Sequence, residues 1–182
     1  MNDSKSNASR QKLSGAGTMN DLRLGAARKR LAESRDQEDA IESLREIVAN
    51  FLGSEEIGLF RVDRRTATFQ VFWSFGIDPE KYDLPRALGD AGIRRVMRGE
   101  CQVDHVDRDC PGAMAKAQAF IPIRFANETV AILAILRLLP QKVAFDRSDL
   151  ELFKILSDEA AKPLFGPRAH PQAVTQETGM GK

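Results

Sequence analysis

Residues 130–139 read Val-Ala-Ile-Leu-Ala-Ile-Leu-Arg-Leu-Leu and carry one charge, Arg137. A strand with one wet face alternates apolar and polar residues, so a continuous apolar run predicts a central strand covered on both faces. The chain therefore has to supply cover for two sides of one sheet. That requirement limits the folds open to it more than any other feature.

The rest of the composition narrows the field. With 182 residues, 42% of them hydrophobic, the length suits one domain with ragged ends. A domain of about 150 residues buries roughly two thirds of its unfolded surface, so the two cysteines need not be structural. The 27 Lys and Arg nearly balance 26 Asp and Glu, a net charge of +1. No global field favours nucleic acid or an anionic membrane. No apolar run reaches about 18 residues and the first five residues lack an apolar signal core, so a cytoplasmic location is expected.

The ends read differently from the middle. Residues 1–20, rich in Ser, Asn, Gly and Lys, are expected to be a disordered basic leader, and 164–182 a disordered tail. Residues 1–36 hold eight Lys and Arg against four acids. The run Arg28-Lys29-Arg30 is read as a solvated helix face rather than a nucleic-acid arm. Between these ends, 21–35 reads as a short helix or linker and 36–163 as the domain.

Within 21–35, Leu22, Leu24, Ala27 and Leu31 fit a short helix weakened by Gly25. Next, Ile41, Leu44, Ile47, Val48, Phe51 and Leu52 share one helical face, with Ser34 and Gln37 as a capping box and Gly53 as the stop. From Glu56 the period changes to two. Residues 57–62 and 66–75 read as strands joined at Asp63-Arg64-Arg65, a hairpin. In the second strand Phe69, Val71, Trp73 and Phe75 are expected on one face, and Phe72 interrupts the polar one. That aromatic group reads as core or as a ligand wall.

Gly76 opens a loop through Pro85, after which Asp90 caps a short helix with Ile93, Val96 and Met97, closed by Gly99. Residues 100–103 form a short strand. Residues 104–115 are polar and irregular, the longest loop inside the compact part, and such loops tend to carry function. Residues 117–125 form a strand in which Pro122 requires an edge or a bulge, and Ala126-Asn127 turns into the 130–139 strand. Asp146 and Asp149 then cap a helix with Leu150, Phe153, Leu156 and Ala160 on one face, ending near Pro163. This order predicts an α+β fold with an antiparallel sheet. Terminal helices cover one face, and the short helix with the long loop covers the other.

Catalytic motifs are scarce. Cys101, His105 and Cys110 lack a fourth metal ligand, and no tight zinc pattern results. A Ser-His-Asp site would have to use His105, without a Gly-x-Ser-x-Gly elbow, and no phosphate-binding glycine motif is present. Neither a catalytic set nor a metal site is expected. Cys101 reads as a small strand residue and Cys110 as a loop thiol, with redox chemistry as the alternative.

The order of these pieces resembles the GAF domain, a small-molecule-binding sensor fold related to PAS. The resemblance rests on Leu44-Arg-Glu-Ile-Val, Ile57-Gly-Leu-Phe-Arg-Val-Asp63, Ile93-x-x-Val96-x-x-Gly99-Glu100 and Ala119-Phe-Ile-Pro-Ile123. It also rests on the 130–136 strand and Phe145-Asp-Arg-Ser-Asp149-Leu-Glu-Leu-Phe before Asp158-Glu-Ala-Ala161. It implies a five- to six-stranded sheet of order 2-1-5-4-3 and homodimers through the helical bundle. Cyclic-nucleotide-binding members carry an Asn-Lys pair with Phe-x-x-x-Asp-Glu. Here Leu150 follows Asp149 and no Asn-Lys pair is found. Bilin-binding members use a Cys commonly beside a His, whereas Cys110 precedes Pro111, so no covalent chromophore is expected.

The resemblance implies a non-enzymatic regulatory module with a small ligand of unknown identity, a signalling protein partner, or both. Ligand-binding candidates are Phe72, Trp73, Arg94, His105, Asp107, Phe120 and Arg124. Two alternatives stand beside it. One is a thiol-dependent free methionine-R-sulfoxide reductase using Cys110, although 88–92 and 116–118 lack the Cys and the acidic residue such enzymes share. The other is an interaction module with a filled pocket.

Overall fold

A computed structural model describes residues 4–66, 68–103 and 119–166, giving only the backbone for 4–18 and for residue 81. The strands are β1 (Glu56–Asp63), β2 (Thr68–Phe75), β3 (Gln102–Val103), β4 (Ala119–Phe125) and β5 (Glu128–Arg137). They pair antiparallel in the order β2-β1-β5-β4-β3. The α+β class, the strand order and the five-stranded sheet agree with expectation, and the apolar run is the central strand β5. The helices are α1 (Ser4–Glu33), α2 (Gln37–Ile47), α3 (Leu84–Met97), α4 (Arg147–Glu159) and α5 (Ala161–Phe165).

Alternation along β5 divides the core in two. Ala131, Leu133 and Ile135 pack with Leu44 of α2 and with Leu152, Phe153 and Leu156 of α4. Ile132, Ala134 and Leu136 pack with Phe60, Phe120 and the α3 residues Leu84, Leu88 and Val96. All six β5 side chains are buried. At about 1.5–3 kcal/mol for each buried Leu or Ile, β5 contributes to the packing of both layers. The two-residue hairpin at Ala126 and Asn127, both with positive φ, sets the β4–β5 register.

Two bulges change which residues share a face. In β2, Trp73 opposes Leu59 and Val71 opposes Phe60, leaving Phe72 as an extra residue. Phe72 and Trp73 therefore both pack toward the helical bundle, and the expected Phe69-Val71-Trp73-Phe75 face is split. In β5, Ala131 opposes Ile123 and Thr129 opposes Arg124, leaving Val130 extra. Thr129 thereby turns to α3. Pro122 sits where β4 pairs with β5 alone, since β3 reaches only Ala119 and Phe120. On its β3 side, therefore, no strand calls for the N–H it lacks.

Helix ends follow local hydrogen bonding. Asp36, not Ser34, caps α2 by accepting from Asp39 N–H at 2.9 Å. Ser34 instead donates to the Arg30 carbonyl at 3.1 Å, closing α1. A π-turn, Val48–Leu52, extends α2 to Gly53 at φ +67°. Asp83 caps α3, which starts at Leu84, earlier than the sequence predicts, and breaks at Gly89 before Asp90. α4 carries the expected capping box of Asp146 and Asp149, but Leu150 is 45% exposed rather than on the packed face. α1 runs well beyond the Leu22–Leu31 stretch read from spacing, and within that stretch Ala27 and Leu31 gain tertiary burial that offsets Gly25.

Candidate functional site

The residues singled out by sequence fall on both sides of the sheet. Phe72 and Trp73 lie on the bundle side, where Phe72 meets Phe165 edge-on at 5.2 Å and Trp73 stacks with Phe75 at 6.4 Å. Arg45 lies over the Phe75 ring and Arg61 over Phe165, at 5.1 and 5.6 Å. Phe120 is on the α3 side and fully buried among core residues. Arg94 is exposed on α3. Arg124, half-buried at the open end of β4, reaches Asp158 at 3.4 Å. The sheet thus separates Phe72 and Trp73 from Phe120, while Arg124 touches α4 of the bundle through Asp158. His105, Asp107 and Cys110 lie outside the described residues.

A second cluster escapes sequence reading. Asp149, in the first turn of α4, is a buried carboxylate. Its Oδ1 accepts from Arg23 Nη2 of α1 at 2.6 Å. Its Oδ2 accepts from Asp146 N–H at 2.9 Å and faces Lys142 Nζ at 2.7 Å. One acid therefore joins α1, the β5–α4 connection and the start of α4. Spacing marks Asp149 only as a cap. Neither Arg23 in the 21–35 stretch nor Lys142 in a polar connection carries a local signal of this pairing.

No family model matches the chain and no curated protein matches it. Among solved structures, it is similar to the GAF domain of a phosphoenolpyruvate-protein phosphotransferase from Coxiella burnetii, at 20% identity and a TM-score of 0.58. That match covers 80% of this chain and 93% of the other. The GAF domain from the Acinetobacter phosphoenolpyruvate-protein phosphotransferase matches at 16% identity and TM-score 0.58, over 80% and 92%. The chain has a GAF-like fold. A methyl-accepting chemotaxis protein, residues 122 to 287, is similar at 14% identity and TM-score 0.53, over 76% and 94%.

Within this GAF-like domain, the space between α3 and the sheet is occupied, among the described residues, by Phe60, Leu84, Leu88, Val96 and Phe120. Within the bundle, the end of α1 with α4 and α5 borders a cleft of about 590 Å³ lined by Leu31, Arg35, Asp158, Glu159, Lys162 and Pro163 among others. None of the ligand-binding candidates among the described residues lines it. Cys101 reaches solvent, yet the protein packed around its sulfur pushes the thiol up to about 11, with Asp158 adding to the rise and Lys154 opposing it. At neutral pH it is a thiol, the unreactive form. Among the described residues, no three His, Cys, Asp or Glu side chains gather to hold a metal, and no helix is long and apolar enough to cross a membrane.

Proposed function

We propose that the chain is a non-enzymatic regulatory module that pairs with a second copy through its helical face and passes its state to a signalling partner. The observation that carries this reading is the outer surface of the bundle. Met19 and Leu22, one helical turn apart on α1, are 70% and 65% exposed, and Leu150 on α4 is 45% exposed. Asn20 donates to Glu151 at 2.7 Å and Arg23 to Asp149, so these apolar residues flank the α1–α4 seam rather than scatter. Apolar side chains grouped on an amphipathic bundle are the material of a helix-to-helix interface. The likeness to the GAF domains of two phosphoenolpyruvate-protein phosphotransferases and to the chemotaxis-protein segment supports the regulatory reading.

Native mass spectrometry tests the proposal, since it reads subunit number and any retained small molecule together. A dimer that Leu22→Glu converts to monomer, with the circular dichroism spectrum unchanged, supports the reading. A monomer at tens of micromolar, or a dimer indifferent to Leu22→Glu, overturns the helical interface.

A further inference from the structure

We propose that α1 is a releasable arm whose catch is Asp149, and that Lys142 on the same carboxylate ties its release to the β5–α4 connection. The inference goes beyond self-association and does not rest on it. Among the described side chains of α1, residues 19–33, little apolar surface is buried. Ala27 and Leu31 are buried and Leu24 packs partly against the core. The remaining ties are polar: Asn20 to Glu151, Arg23 to Asp149, Arg28 to Glu159 at 2.9 Å, and Arg30 to Glu46. Elements held this way sit at the low-stability end of a domain and open before the core does. The Arg28–Glu159 pair is exposed and weakened by salt.

The two oxygens of Asp149 are not equivalent. Oδ2 has Lys142 Nζ and the Asp146 N–H, whereas among the described residues Oδ1 takes its donor from Arg23. With α1 docked and Arg23 truncated, Oδ1 becomes a buried acceptor of a charged group without a donor, a costly state. With α1 released, water reaches that oxygen. Arg23 therefore favours the docked arm specifically instead of stabilising the whole fold. Lys142 works in the opposite sense. Two cations share one carboxylate, so withdrawing Lys142 leaves the attraction of Asp149 to Arg23 alone. Lys142 belongs to the connection that leaves the central strand, with its N–H on the Leu139 carbonyl at 2.9 Å and its side chain against Gly53. A shift of that connection thus alters the grip on α1.

Hydrogen exchange read by mass spectrometry on the full chain tests this, at two protein concentrations to separate it from dimer formation. Arg23→Met is expected to speed exchange of amides 24–33 at least tenfold while amides 152–159 keep their rates, and Arg23→Lys to restore slow exchange. Raising NaCl from about 0.02 to 0.5 M is expected to speed 24–33 several-fold in the unmodified chain. Lys142→Met is expected to loosen 138–146 and to slow exchange of 24–33 further, and unchanged exchange of 24–33 in this variant overturns the tie to the connection. Unchanged exchange of 24–33 in Arg23→Met overturns the proposal. So does acceleration of 24–33 and 152–159 together, or acceleration of 24–33 in Lys142→Met.

Discussion

Thr129 on β5 donates through Oγ1 to the carbonyl of Val96 at 2.9 Å, in a place closed to water. The extra residue Val130 makes this contact available, because without it Thr129 would face the bundle. The same carbonyl accepts from Gly99 N–H at 3.0 Å, so one acceptor fastens the end of α3 both to itself and to the sheet. Thr129→Val keeps the shape and removes the donor. Stability is expected to fall by about 1 kcal/mol, read as a lower urea midpoint at constant slope. An unmoved midpoint would mean that the bond contributes nothing net.

Gly99 and Gly25 should respond to alanine with opposite signs. Gly99 has φ +86°, and a Cβ there would stand 2.9 Å from Arg124 Nε, displacing the side chain that reaches Asp158. Gly99→Ala is expected to cost about 1–2 kcal/mol. Gly25 lies inside α1, where an added methyl would meet nothing within 4 Å, so Gly25→Ala is expected to stabilise by about 0.5–1 kcal/mol. Thermal unfolding of the two variants side by side settles both signs.

Phe120 and Arg94 separate packing from recognition. Phe120 is fully buried between β4 and α3, and Phe120→Ala is expected to cost about 3–5 kcal/mol whatever the chain binds. Arg94 is exposed on α3, so Arg94→Ala should leave stability within about 0.5 kcal/mol. Calorimetric unfolding of both variants checks the contrast. A large loss in Arg94→Ala would place that guanidinium in a structural role.

Cys101 should be a slow nucleophile. With the thiol raised to about 11 from an ordinary 9.0, burial being the main cause, only about a thousandth is thiolate at pH 8. Alkylation by iodoacetamide is expected to rise about tenfold per pH unit toward pH 11. Tryptic peptides 99–108 and 109–116 report Cys101 and Cys110 separately. Because the folded state favours the neutral thiol, its stabilising share is complete below pH 9 and is lost as pH climbs from 9 to 11. Fast labelling of peptide 99–108 at neutral pH would contradict this environment.

The fold is largely legible because its strongest signals are local and repeated. The 130–139 run announces a central strand, Gly53 and Gly99 close their helices, and Asp146 with Asp149 opens α4. Bulges are not legible, since an extra residue in a strand depends on what the partner strand offers; hence strict alternation puts Phe72 and Trp73 on opposite faces. Ser34 looks as good a cap as Asp36, and only the backbone path between α1 and α2 decides between them. The Asp149 cluster joins residues 126 and 7 positions apart, a pairing that spacing does not encode. Much of the expected ligand loop falls on 104–118, which holds His105, Asp107 and Cys110.

β5 has a consequence for any message the molecule carries. From Ala131 to Leu136 its odd and even side chains belong to different layers, and among the described residues the two layers meet through this pleat and its neighbours. Through β5, an event on the α3 side reaches the bundle by tilting or sliding a strand that is packed on both faces. Such a partition transmits displacement of the whole ribbon and filters out the wobble of single side chains.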